Sequence, residues 1–268
     1  MKNFLSLLGA LALLVSCSTT DNDNDSDNGN KITLPKKVQY TNSDHPEKNS
    51  TSVITYNGKK IVSVTEEEER TDYIYEGNVI VKTITYDITY NRNEKKSEKS
   101  YTYTDGKLSS SISVSNFTSE YPSGEYQTRS VYTYDADGTI KKESYSTNAT
   151  TGEEQQNDLY QILTYQNGNL IKVVEKSISS NYLRTSDYEY DANDNPYKYV
   201  LGLNLLLDEE FYTNNLIKHT YSVSGRNAAP TGPFIYTIEY EYNESGYPTK
   251  QTYHNQDGTI GDVNEYFY

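Results

Sequence analysis

Val131-Tyr132-Thr133-Tyr134-Asp135-Ala136-Asp137-Gly138-Thr139-Ile140 reads as a strand, a tight turn and the start of a second strand. Tyr132 and Tyr134 alternate with Val131 and Thr133, the period of two expected of a strand with one packed face and one wet face. Asp135 to Gly138 supply the turn, and Gly138 can take the positive φ that a tight reversal needs. Nothing in the stretch is a catalytic motif. It specifies architecture.

Variants of this unit recur from Val53 to the C-terminus. Ile54–Lys59 turns on Asn57-Gly58, Tyr73–Val79 on Gly77, Tyr101–Leu108 on Asp105-Gly106, and Leu163–Leu170 on Asn167-Gly168. In Tyr188–Pro196 and Phe211–Ile217, Asn195 and Asn215 stand where Gly is expected. Tyr240–Tyr247 turns on Gly246, and Tyr253–Ile260 on Asp257-Gly258. Gly58, Gly77, Gly106, Gly138, Gly168, Asn195, Asn215 and Gly246 are therefore the expected turn residues.

The flanking segments alternate. Phe234, Tyr236, Ile238, Tyr240 and Tyr242 share one face. Leu108, Ile112 and Val114 oppose Ser109, Ser111, Ser113 and Ser115, and Ile80, Ile84, Tyr86, Ile88 and Tyr90 oppose Thr83, Thr85, Asp87 and Thr89. The expectation is an all-β fold: a long antiparallel up-and-down meander of about 16–18 strands rolled into a barrel-like sheet. The short Gly turns would gather at one end. Longer returns such as 91–96, 119–124, 148–158, 179–182 and 224–233 would gather at the other. Pro196–Leu207 breaks the alternation with a dense apolar run, and is expected to be a short helix or tucked loop plugging the core.

The 268 residues include 29 Tyr, one Cys and no Trp. Leu5–Val15 is an apolar run too short to span a bilayer as a helix, and with Lys2 before it residues 1–16 read as a secretory signal. Leu14-Val15-Ser16-Cys17 resembles the lipobox of bacterial lipoproteins, which implies cleavage before Cys17 and its acylation as a membrane anchor. Residues 17–30 hold no apolar side chain beyond Cys17 and read as an acidic flexible tether. Its Asp21, Asp23, Asp25 and Asp27 resemble the surface-export signal of Bacteroidota lipoproteins, which implies display at the outer-membrane surface. The spacing Asp21, Asp23, Asp25 lacks the Gly and Glu of a calcium loop. Residues 31–268 form the remaining single domain. The chain's one Cys is Cys17, which the lipobox resemblance implies is the anchor, so the domain is expected to rest on its core and hydrogen bonds rather than on disulfides.

Tyr132–Gly138 and Tyr188–Asp194 resemble the Tyr-Asp repeat of Rhs-type shells, although the spacing between copies here is irregular. A second resemblance covers most of residues 31–268. The lipobox, the Tyr-Gly hairpins, and Asn195-Pro196-Tyr197 through Gly202 to Asn214-Asn215-Leu216 resemble uncharacterised Bacteroidota lipoproteins whose domain of unknown function has a porin-like fold. That resemblance implies a barrel and brings no activity.

The formal net charge is -14, which argues against nucleic acid as a partner. Three His residues, His45, His219 and His254, are scattered without metal-ligand spacing, so no metal site and no cofactor is expected. No Gly-x-Ser-x-Gly elbow or phosphate loop occurs. Glu66–Glu69 reads as a solvated hairpin end, and Glu239 with Glu241 as the one loosely glycosidase-like pair. No catalytic residue is assigned. The expectation is a non-catalytic binding or scaffold module of the envelope, meeting a glycan, a peptide or an envelope protein through the long-loop end or the barrel mouth. Alternatives are a structural envelope protein and a glycan-processing hydrolase. A concavity with convergent polar groups would favour binding, a filled interior would favour structure, and facing carboxylates would favour hydrolysis.

Overall fold

The computed structural model describes residues 32–207, 212–225 and 228–268. Cys17 and Asp21, Asp23, Asp25 and Asp27 lie outside them.

Sixteen strands occur among the described residues. In chain order they are β1 (Lys37–Asn42), β2 (Ser50–Asn57), β3 (Lys60–Thr65), β4 (Glu69–Glu76), β5 (Val79–Asp87), β6 (Glu94–Thr104), β7 (Lys107–Ser115) and β8 (Tyr126–Tyr134). There follow β9 (Thr139–Thr147), β10 (Glu154–Gln166), β11 (Asn169–Ser177), β12 (Leu183–Asp194), β13 (Asn214–Gly225), β14 (Ala228–Tyr242), β15 (Pro248–His254) and β16 (Ile260–Phe267). Each pairs antiparallel with its sequence neighbours, and β1 pairs with β16 to close the barrel. Closure removes the exposed sheet edges that would otherwise template aggregation.

The Gly turns behave as their dipeptides predict. Gly58, Gly77, Gly106, Gly138, Gly168 and Gly246 all have positive φ. Asp137 Oδ1 accepts from the Thr139 N–H (3.0 Å) and hydroxyl (2.7 Å), which fixes the Val131–Ile140 turn. Asn195 and Asn215 depart from the expectation. Neither is among the residues of positive φ. Asn195 instead holds a turn through its side chain, accepting the Tyr197 N–H at 2.9 Å. Asn215 is fully buried inside β13 and ties Asp191 to Tyr242. Among the described residues of that unit, Asn214–Ile217 thus enter a strand rather than a hairpin turn.

Strand parity also relocates one turn. Odd strands run from the Gly-turn end to the long-loop end, so the β15–β16 turn at Asp257-Gly258 lies among the long returns. The chain enters the barrel at the Gly-turn end, where the Lys36 N–H donates to the Phe267 carbonyl (2.7 Å) and Pro35 is fully buried.

The plug is present, with a 3-10 turn at Leu203–Leu205. It leaves β12 and crosses the Gly-turn end to the far wall, where the Leu201 N–H donates to the Lys59 carbonyl and its own carbonyl accepts from the Tyr75 hydroxyl. Leu206 packs in a cluster with Ile80, Tyr101, Leu108, Tyr132, Ile140 and Leu163. Val200 packs with Ile54 and Ile61. A sixteen-strand barrel is wide enough to leave an aqueous channel, and the plug fills one end of it.

Alternation fails in a regular way. Ile112 and Val114 face outward, opposite Arg129 and Gln127, and it is Ser111, 2% exposed, that faces in opposite Tyr101. Ile84 likewise faces out between Asp72 and Glu98. Ile88 and Tyr90 lie beyond β5, and Tyr90 is almost fully exposed. The cause is a β-bulge. The register shifts immediately before Tyr56, Tyr75, Tyr103, Tyr165, Tyr190 and Tyr242, in each case with an extra residue on the strand after the turn. One extra residue turns every later side chain to the other face. The hairpin at Val131–Ile140 is continuous by contrast, with Tyr132 opposite Lys142 and Tyr134 opposite Ile140.

The outer wall is charged. Arg70–Asp72 (2.8 Å), Arg129–Glu154 (2.7 Å), Lys141–Glu143 (2.8 Å), Lys218–Glu189 (2.7 Å) and Lys250–Glu241 (3.4 Å) pair across it. Each such exposed pair contributes about 0–1 kcal/mol.

Candidate functional site

The plug closes the floor of the barrel lumen and leaves a cavity of about 490 Å³. Pro196, Leu203 and Leu206 of the plug form its base, and Thr71, Thr83 and Thr85 carry its wall toward the long-loop end. Seven tyrosines line it, with Gln251 and Asn195, and no charged side chain does among the described residues. The volume falls in the range typical of small-molecule sites.

Gln251 organises one wall. Its Nε2 donates to the hydroxyls of Tyr240 (2.8 Å) and Tyr253 (3.0 Å), and its Oε1 accepts from Tyr266 (2.8 Å) and Asn264 (3.0 Å). Burial raises the pKa of Tyr240, Tyr266 and Tyr197, so these phenols remain neutral hydroxyls throughout the physiological range. The wall is a rigid array of neutral hydroxyl and amide groups among aromatic rings.

A second compartment of about 330 Å³ adjoins the first at Tyr212 and has a different chemistry. One row across the wall carries Lys142 on β9, Gln161 on β10, Glu175 on β11 and Arg184 on β12, each opposite the next. Glu175 accepts from Gln161 Nε2 and from the Tyr182 hydroxyl, both at 3.1 Å. The Arg184 guanidinium sits 4.5 Å above the Tyr221 ring. His219 stacks on Tyr188 at 4.7 Å with an interplanar angle of 6°. Its pKa is lowered, first by burial and then by the charge of Arg184. Tyr221 stacks in turn on Phe234 and Tyr236. The rings stand side by side, so their faces are largely turned to one another and their edges to the lumen.

The repeat explains how these residues reach the lumen. In each bulged hairpin the inward position lies three residues after the first post-turn apolar residue. That position holds Thr83, Ser111, Val173 and His219 after Ile80, Leu108, Leu170 and Leu216, and Gln251 after Pro248. Sequence reading does not single out Lys142, Glu175, Arg184 or Gln251, although this offset would have found His219 and Gln251. The expected turn glycines lie at the barrel end and do not converge into a site, except that Gly106 and Gly168 border a smaller cavity beside the plug. Glu239 and Glu241 point outward, toward His254 (3.4 Å) and Lys250 (3.4 Å), and do not face each other across a cleft. Among the described residues, no group of three or more His, Cys, Asp and Glu side chains could hold a metal ion.

No protein-family model matches the chain, and no curated protein does. Solved structures do. A porin-like protein from Bacteroides vulgatus superposes with a TM-score of 0.57 at 16% identity, over 88% of this chain and 98% of its own. A porin-like protein from Bacteroides uniformis gives a TM-score of 0.49 at 13% identity, over 88% of this chain and 97% of its own. At this identity the first likeness is one of fold: this chain has the porin-like barrel.

Proposed function

We propose that this protein is a non-catalytic binding module of the cell envelope, which takes a small polar ligand into its lumen through the long-loop end. The observation that carries the reading is the floored cavity of about 490 Å³, lined by tyrosines, threonines, Gln251 and Asn195. Convergent neutral hydroxyls and amides among aromatic rings suit a hydroxyl-rich ligand such as a saccharide.

The reading includes a lipid anchor at Cys17, an acidic tether carrying Asp21, Asp23, Asp25 and Asp27, and a place at the outer-membrane surface. Two features support a tethered, water-exposed barrel over a membrane-spanning pore. The outer wall carries ion pairs where a lipid-facing wall would pay about 2–4 kcal/mol for each mid-plane Arg or Lys. The chain also enters the barrel at the plugged end, opposite the long-loop mouth.

A glycan array probed with the purified protein, run beside a variant carrying Thr83→Trp to fill the lumen, tests the proposal. Retention of defined glycans by the native chain and their loss in the filled variant is the expected result. Silence on the array, or retention unaffected by Thr83→Trp, would overturn the lumen as the binding site.

A further inference from the structure

The second compartment contains two buried polar atoms with no hydrogen-bond partner among the described residues, Nε of Arg184 and Nε2 of His219. Native interiors leave few such atoms, and each asks for something that satisfies it. These two lie on the paired strands β12 and β13 and line the same space. The carboxylate of Glu175, directly opposite Arg184, is engaged by Gln161 and Tyr182. Among the described residues Arg184 forms no ion pair, and its Nε is buried without a hydrogen-bond partner although the side chain as a whole is only half-buried. Seated on the Tyr221 ring, the guanidinium keeps its edge for a planar acceptor, the geometry in which Arg recognises carboxylate and phosphate.

The fold does not demand these groups. The repeat places Thr83 and Ser111 where His219 stands, and both sit in equally well-formed hairpins. The charged and imidazole side chains are gathered on the β9–β13 side, while the wall of the first compartment is neutral.

We propose that the second compartment recognises an oxyanion, a carboxylate or a phosphate ester, on the small ligand of the lumen, with Arg184 as principal donor and His219 Nε2 as a second contact. The inference rests on the lumen being a binding site and adds the charge of what binds there. A hydroxyl-rich ligand with one acidic group would place its neutral body on the tyrosine and threonine wall and its oxyanion on Arg184. Tyr212, which lines both compartments, marks the junction.

The test is an NMR titration of the purified protein, following the Arg184 Nε–H and the His219 imidazole resonances, with glucuronate, glucose 6-phosphate, inorganic phosphate and glucose as probes. The expected result is a saturable shift of both resonances with glucuronate or glucose 6-phosphate and none with glucose. Arg184→Gln should weaken that binding at least tenfold at unchanged melting temperature, and Arg184→Lys, which keeps the charge but loses the fork, should weaken it less. Inorganic phosphate acting with the same Arg184 dependence would also support the site and would assign recognition to the oxyanion without a sugar body. Glucose binding that ignores Arg184→Gln would overturn the oxyanion inference and leave the lumen reading standing. Silence with all four probes would overturn the inference, while the glycan array decides the lumen reading separately.

Discussion

Gly202 and Gly138 share a conformation and differ in their surroundings. Their φ values are +81° and +86°. A Cβ on Gly138 would meet nothing within 4 Å, whereas one on Gly202 would lie 2.9 Å from the Ile80 nitrogen and 3.1 Å from the Asn78 oxygen. Gly138→Ala should therefore cost about 1–2 kcal/mol of backbone strain alone. Gly202→Ala adds the overpacking of a plug that touches the β4–β5 turn, about 1–3 kcal/mol more. Chemical denaturation of the two variants checks this, and equal losses would show that the plug yields freely at Gly202. The Gly-turn residues were legible because Asn-Gly and Asp-Gly admit few other readings. Asn195 and Asn215 were not, because an Asn can serve a turn through its φ or through its amide. Which one it does depends on remote partners: Asn215 answers to Asp191 and Tyr242, 24 and 27 residues away.

At the scale of the element, the repeated Tyr-x-Tyr is a bulge and a latch. Tyr103, Tyr134, Tyr190 and Tyr240 donate to the carbonyls of Ile80 (2.7 Å), Leu108 (3.0 Å), Leu170 (2.7 Å) and Leu216 (3.1 Å). Each bond joins one hairpin to the preceding one at the Gly-turn end, where no peptide connects them. Ile80 is wholly buried, so Tyr103→Phe should cost about 0.5–2 kcal/mol, while Tyr90→Phe at an almost fully exposed site should stay within about 0.5 kcal/mol. The latches at Tyr103 and Tyr190 lie on separate strands with separate partners, so the double Phe variant should lose the sum of the two single losses. Urea melts of the set decide it, and a Tyr103→Phe variant as stable as the native chain would make the latch incidental. Alternation in the sequence correctly announced strands and turns. It misplaced Ile112 and Val114 because a period of two carries no mark of the residue that a bulge inserts, here Ser109 after Leu108. The inward face of β14, which runs unbroken from Phe234 to Ile238, was read correctly for the same reason.

For the molecule as a whole, the sequence announced a meander and could not announce its closure. Closure is a pairing of β1 with β16, fastened by the Tyr40 hydroxyl on Asp262 (2.8 Å) across 222 residues, and no local pattern encodes it. The lumen was equally hidden, since it is assembled from one or two residues of many strands around a plug whose apolar run was visible only as filling. The tyrosine content, read as packing, carries a consequence for pH. Burial raises the Tyr103 pKa to about 12, with Tyr134 and Tyr75 adding to it. Burial likewise raises Tyr165 to about 12, helped by Tyr134 and Tyr188. An unfolded tyrosine ionises near pH 10. A folded pKa above the unfolded one means that the contribution is complete below pH 10 and is lost as pH rises from about 10 toward 12, because the unfolded chain releases its protons first. Stability should thus be level with respect to these groups from neutrality to about pH 9.5 and then fall steeply. A phenolate absorbance titration beside circular dichroism checks the point. A share of the 29 tyrosines should ionise only as the β signal collapses. Ionisation of all of them in one step near pH 10, with the barrel intact, would mean that the lumen tyrosines are open to water and that the plug does not seal its end.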